Sequence, residues 1–171
     1  MPSNFRILHC IESFGVGGAQ AMMFELSQAI ERYYPNIGQN LLLLDKTKID
    51  EEYIKSYGIE YAFLQRDLFQ RTIFSFEKPV VVLYHKLMCS NTDFIKRIYP
   101  KIPVVVVNHS YTENMGYNKV NTCDAIVSVS KHMHKTIKRY NPGQKCIFIR
   151  NGINAFNYKN VDPIKREEEP N

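Results

Sequence analysis

Several short apolar runs in this sequence end on residues able to do chemistry. Gly15-Val16-Gly17-Gly18 follows residues 5–11, His85 and Lys86 follow 80–84, and His109 and Ser110 follow 104–107. Ser130 follows 125–129, and Asn151 with Gly152 follows 146–149. In an open parallel α/β sheet, ligands bind beyond the carboxyl ends of the strands, so these positions are the candidates for binding and catalysis. Glycines at a strand-to-helix junction let backbone N–H groups approach a phosphate at the positive end of the helix. They also make tight turns on their own account, and spacing does not separate the two roles. A histidine at such a strand end can donate to a phosphate or sugar oxygen, or transfer a proton near neutral pH. Its plainer use is a hydrogen bond to nearby backbone.

Other chemistries lack their residues. Gly15-Val16-Gly17-Gly18-Ala19-Gln20 supplies the first two glycines of G-x-G-x-x-G, and Gln20 stands where the third would let helix and strand pack closely. Asp45 could take a ribose hydroxyl, so a dinucleotide site remains an alternative. There is no G-x-x-x-x-G-K-[ST] for a P-loop, no G-x-S-x-G elbow and no H-E-x-x-H zinc motif. His132 and His134, two apart, fall on different sides of a helix and make a poor metal pair. Cys10, Cys89, Cys123 and Cys146 are scattered without C-x-x-C spacing, as expected of reduced thiols. No metal is expected.

The elements that must position these residues are legible from periodicity. Residues 5–11 read as a strand. After the glycine loop, apolar residues recur at Met22, Met23, Leu26, Ile30 and Tyr33, the spacing of a helix with one buried face, and Pro35 stops it. Leu41-Leu42-Leu43-Leu44, a polar helical segment over 50–57, and the run 59–64 after Gly58 give strand, helix and strand. Pro79 and Pro103 open two continuous β-branched runs, Val80-Val81-Val82-Leu83-Tyr84 and Val104-Val105-Val106-Val107, which predict strands buried on both faces. Residues 93–99 read as helix, 125–129 as strand, 131–140 as helix and 146–149 as strand. Strands alternating with helices predict a single α/β Rossmann-like domain, a mostly parallel twisted sheet with helices on both faces.

Composition agrees with one domain: 171 residues, 44% hydrophobic, with no apolar run long enough to span a membrane and no signal-peptide layout at the start. A cytoplasmic protein is the expectation. The net charge of +5 suits an anionic partner, but no zinc-finger or RNP-type signature accompanies it, so nucleic acid is not expected. Lys131, Lys135 and Lys138 fall on one side of their helix and Met133, Ile137 and Tyr140 on another. This is the pattern of a solvated helix over a core, with peripheral contact to the inner face of an anionic membrane as the other reading. The domain is expected over 1–158, followed by a polar linker or disordered tail over 159–171.

Taken in order, the motifs resemble a known family. Ile7-Leu8-His9-Cys10-Ile11 followed by Gly17-Gly18-Ala19-Gln20 resembles the opening of family 4 glycosyltransferases, retaining enzymes of the two-Rossmann-domain (GT-B) architecture, with Gln20 for the usual Glu. Val82-Leu83-Tyr84-His85 and Val106-Val107-Asn108-His109-Ser110 are similar to two family strands that end in histidine, the second facing the substrate cleft. Asp124-Ala125-Ile126-Val127-Ser128-Val129-Ser130 resembles its Asp-x-Ile-x-x-x-Ser strand. Ile147-Phe148-Ile149-Arg150-Asn151-Gly152-Ile153-Asn154 resembles its Ile-x-Asn-Gly-Val-Asp segment, with Asn154 for Asp.

The resemblance implies transfer of a hexosyl group from a nucleotide-sugar donor to a sugar, lipid-linked or polysaccharide acceptor, without metal or further cofactor. It implies Gly15, Gly17 and Gly18 at the donor phosphate, His109 at the reacting centre, and His85, Ser110, Ser130, Asn151 and Gly152 toward the acceptor. The family's donor-gripping glutamate pair lies in a second domain. Glu167-Glu168-Glu169, in a stretch without apolar support, cannot replace it. Efficient transfer is therefore expected to need a C-terminal domain or partner subunit. A non-catalytic binding module or subunit of the same fold is the alternative.

Overall fold

The computed structural model describes residues 5–12, 17–44, 50–56, 58–63, 79–85, 89–109 and 122–152. Its strands are β1 (Phe5–Ile11), β2 (Ile37–Leu43), β3 (Glu60–Phe63), β4 (Val81–His85), β5 (Val104–Asn108), β6 (Ala125–Ser128) and β7 (Cys146–Phe148). The helices are α1 (Gly18–Tyr33), α2 (Glu51–Lys55), α3 (Cys89–Ile98) and α4 (Lys131–Tyr140). All seven strands join one sheet in the order β3-β2-β1-β4-β5-β6-β7, and every pairing is parallel. The chain winds outward from β1 through β2 to β3, then returns to β4 on the other side of β1. The border of β1 and β4 is thus the topological switch point, beside which ligands bind in open α/β sheets.

Strand alternation sorts the core into two layers. Leu8, Cys10, Leu42, Val82, Tyr84, Val104, Val106 and Ile126 point to one face, where Ile95 and Tyr99 from the α3 segment and Ile137 of α4 cover them. Ile11, Leu41 and Leu43 point to the other, against Met23 and Phe24 of α1 and Ile54 of α2. Phe24 also meets Tyr53 edge to face, with ring centres 5.6 Å apart.

Local chemistry sets the helix ends. Backbone N–H of Tyr34 still bonds to Ile30 O, and Pro35, which has no N–H to continue the ladder, follows. Asp50 caps α2 by accepting from Tyr53 N at 3.0 Å. Gly58, three residues past the end of α2, has φ of +65°, the left-handed conformation that favours glycine. Ser130 caps α4 by accepting from Met133 N at 3.2 Å, and Asn141 closes its other end by donating to Ile137 O. On α4, Met133 and Ile137 are buried, while Lys131, Lys135, Lys138 and also Tyr140 are exposed. No described helix is long and apolar enough to cross a membrane.

Two expectations need adjusting. The α3 helix begins at Cys89, four residues before the apolar spacing shows it, because its first turn, Cys-Ser-Asn-Thr, is mostly polar. The β4 and β5 runs are not buried evenly on both faces: Val81, Leu83 and Val105 are half-buried while Val82, Tyr84, Val104 and Val106 are buried. The half-buried positions lie on the α1 face. Among the described residues, α1 and α2 contribute the helical core residues of that face, and they pack over β1 and β2.

Asp124 anchors the start of β5. Its Oδ2 accepts from Val104 N at 2.7 Å and lies 2.6 Å from Lys96 Nζ, while its own N–H donates to Val104 O. Burial alone would raise its carboxyl pKa, but Lys96 and the Val104 N–H together hold it below the usual value. Because Asp124 is half exposed, the ion pair itself contributes little. Asp124→Ala should still cost about 1–3 kcal/mol, because it orphans the Val104 N–H. Asp124→Asn, which keeps an acceptor, should cost less. Urea unfolding at neutral pH measures both. The wild-type advantage should be complete above the ordinary carboxyl pKa and be lost as pH falls through the lowered folded value.

Candidate active site

Gly17 and Gly18 stand at the carboxyl edge of the sheet, where β1 hands over to α1. Gly17 is the N-cap and carries no side chain to accept from the first-turn N–H groups, and no acidic residue lies in that turn. Its φ of −167° is ordinary extended backbone, so a demand for left-handed geometry does not explain the glycine. A Cβ on Gly17 would sit 2.7 Å from Gln20 Oε1, the far end of a flexible side chain that can turn aside, while one on Gly18 would meet nothing within 4 Å among the described residues. Among the described residues, no atom stands within 4 Å of a Cβ placed at Gly18, at the positive end of the sixteen-residue α1.

His85 and His109 lie at the same edge, at the end of β4 and just after β5. They are joined by a residue the sequence reading did not single out. His9 on β1 pairs in register with Leu83, and His85 with Val107, so His9, His85 and His109 step diagonally across three adjacent strands on the α1 face. Gln39 on β2 pairs with Ile7 and extends the row by a further strand. His9 Nδ1 lies 3.1 Å from His85 Nε2, and His85 Nδ1 lies 3.1 Å from His109 Nε2. Each pair of rings is nearly parallel, 21° and 19° between planes with centres 5.4 Å apart. Contacts of 3.1 Å between nitrogens at that centre separation set the rings edge to edge. At the far end, His9 Nε2 meets Gln39 Oε1 at 3.0 Å, and Gln39 Nε2 donates to the carbonyl of Ser27 on α1.

Burial governs the charge of this row. It lowers His9 to about 4, an effect that the Gln39 hydrogen bond only partly offsets. His85 is pushed well below the ordinary value, first by burial and then by repulsion from a charge on either neighbour. Burial also lowers His109 to about 4. All three are neutral imidazoles at pH 7. The row can accept or orient; as a resident cation for a phosphate it is unsuited.

The remaining candidates divide. His85 is 1% exposed with both ring nitrogens engaged, so it holds its neighbours and does not face an acceptor. Ser130 is occupied as the cap of α4. Asn151 and Gly152 are exposed and line a cavity of about 460 Å³ between the Met22, Leu26 and Tyr33 side of α1 and the strand ends at Val129 and Ile149. None of the three histidines lines it. Gly15, Ser110 and Asp45, and the expected tail over 159–171, lie outside the described residues. His9 and Gln39 were detectable in principle. Both sit at strand positions whose alternation matches that of His85, but the parallel register that aligns them is a tertiary fact.

Fold and site together define a Rossmann-like α/β domain whose polar groups gather beside the switch point. The crystal structure of Anabaena HepE in complex with UDP and glucose has this fold, with a TM-score of 0.64 at 13% sequence identity. The match covers 91% of this chain and 46% of HepE, so the chain spans less than half the length of that protein. No family model matches the chain, and no curated protein matches it in sequence.

Proposed function

We propose that this chain is the acceptor-side, N-terminal domain of a retaining, nucleotide-sugar-dependent glycosyltransferase of the GT-B type, acting in the cytoplasm. The observation that carries the reading is the pairing, at one sheet edge, of the glycine-opened N-terminus of α1 with His109. The first suits a diphosphate through backbone N–H groups and the helix dipole. The second suits a neutral, hydroxyl-bearing group. HepE, which shares the fold, is recorded with UDP and glucose, the two halves of such a donor. In this reading Gly17 and Gly18 approach the donor diphosphate, His109 contacts the transferred sugar, and Asn151 with Gly152 lies toward the acceptor.

Gln20 disfavours the dinucleotide alternative, since its side chain folds back over Gly17 in place of the third glycine that close cofactor packing uses.

The test is a titration of the isotopically labelled chain with UDP-glucose, followed by backbone amide shifts. Shifts should concentrate at Gly17, Gly18 and Ala19, with UDP alone producing most of them. Gly18→Val should remain folded, because its Cβ enters open space, and should lose those shifts. Unchanged binding in the folded variant would remove the phosphate role, and no shift in the wild type at millimolar ligand would remove the donor site.

A further inference from the structure

The hydrogen bonds of the histidine row have a direction, and one group fixes it. The Ser27 carbonyl can only accept, so the Gln39 amide must turn its NH₂ toward Ser27 and its oxygen toward His9. That oxygen can only accept, so His9 carries its proton on Nε2. A neutral His9 then offers a lone pair at Nδ1, which the His85 Nε2–H fills, and a neutral His85 offers Nδ1 to the His109 Nε2–H. His109 ends the row with an unprotonated Nδ1. That atom is buried and has no hydrogen-bond partner among the described residues.

We propose that Gln39, acting through His9 and His85, holds His109 as the Nε2–H tautomer, so that His109 Nδ1 accepts a hydrogen bond from a hydroxyl of the bound sugar. Gln39, His9 and His85 are positioning residues, and His109 is the group that touches ligand. A phosphate oxygen, itself an acceptor, has nothing to offer this nitrogen. In place of a histidine able to donate to a phosphate or sugar oxygen, this row has one polarity and one class of partner, an O–H donor. An orphaned buried acceptor is costly in the free protein, and a ligand hydroxyl relieves that cost on binding. The tautomer follows from the hydrogen bonds alone, whereas the sugar as its partner rests on the glycosyltransferase reading.

The experiment uses the full chain labelled with ¹⁵N in its histidine rings, with signals assigned by single histidine replacements. Protonated and lone-pair ring nitrogens resonate far apart, so each tautomer is read directly. Wild type should show His9, His85 and His109 each protonated at Nε2 and bare at Nδ1 at neutral pH. Gln39→Leu removes the acceptor, and the His109 nitrogens should shift toward a mixture of tautomers. A protonated His109 Nδ1 in wild type overturns the proposal, and so does an unchanged His109 in folded Gln39→Leu.

UDP-glucose should move the His109 Nδ1 signal, while UDP and inorganic phosphate should not. A response to phosphate, or none to UDP-glucose when the Gly17 and Gly18 amides do respond, overturns the hydroxyl assignment. Silence at the amides as well defeats the sugar-transfer reading and the hydroxyl partner with it, while the tautomers are still judged by the ring spectra of the free chain.

Discussion

Acidification should unfold this domain earlier and more steeply than its carboxylates alone would. His9, His85 and His109 are neutral in the folded state, with His9 and His109 lowered to about 4 and His85 held well below its ordinary value. In the unfolded chain each returns to an ordinary value of about 6.5. Above that pH both states are neutral and the row costs nothing in proton binding. As pH falls from about 6.5 toward 4, the unfolded chain takes up protons that the folded one refuses, and stability drops. Each such histidine contributes a slope of about 1.4 kcal/mol per pH unit, so three give about 4 kcal/mol per unit. Against a total of about 5–15 kcal/mol for a typical domain, that exhausts the margin within a few units. Urea midpoints followed from pH 7.5 to 4.5 by circular dichroism measure the slope. His85→Gln should lower stability at neutral pH by interrupting the row and reduce the slope by about a third. Stability that stays flat between pH 6.5 and 5 in the wild type would mean that the row takes up protons without unfolding.

That acid response shows where sequence reading reaches its limit. The alternation of β-branched runs with amphipathic helices was enough for the parallel sheet, because burial on a sheet face or a helix stripe repeats with fixed local periods. Pro35 was similarly plain, since helix breaking acts within a few residues, whereas Ser130, read as an acceptor residue, is the cap of α4. The half-buried face of β5 was not. Val105 looks the same as Val104 and Val106, and what separates them is which helices cross each face. His85 and His109 were legible as strand-end residues, but their opposite fates, one sealed and one terminal, depend on a diagonal spanning four strands. His9, in the middle of an apolar strand, reads as a core histidine in isolation. It becomes part of a site only when Gln39 and His85 lie on either side of it. The glycine loop was read for the right edge of the sheet, but its backbone needs no unusual φ at Gly17, and a side chain there would meet only the flexible end of Gln20.

The isolated chain of residues 1–171 should turn over nucleotide sugars poorly or not at all, with activity recovered only when a complementary Rossmann-like domain is supplied. This follows from the proposed division of labour. Gly17, Gly18 and His109 approach the diphosphate and sugar from one side, but no described residue grips a nucleotide base or ribose, and the chain corresponds to 46% of HepE. Transfer needs donor and acceptor held in register, and proximity with orientation can supply roughly 7–11 kcal/mol of barrier lowering. A donor held by one wall keeps its rotational freedom and forfeits most of that. Adding a complementary Rossmann-like domain, fused or separately expressed, should raise transfer by many orders of magnitude while shifting the same Gly17 and Gly18 amides that UDP-glucose shifts weakly in the isolated chain. In that assembly His109→Ala should depress kcat more than the affinity for UDP, because UDP lacks the transferred sugar whose hydroxyl Nδ1 holds. Robust turnover of a nucleotide sugar by residues 1–171 alone would place a complete donor site within this domain. A partner-restored assembly that binds UDP-glucose but transfers nothing would instead make the chain a binding module.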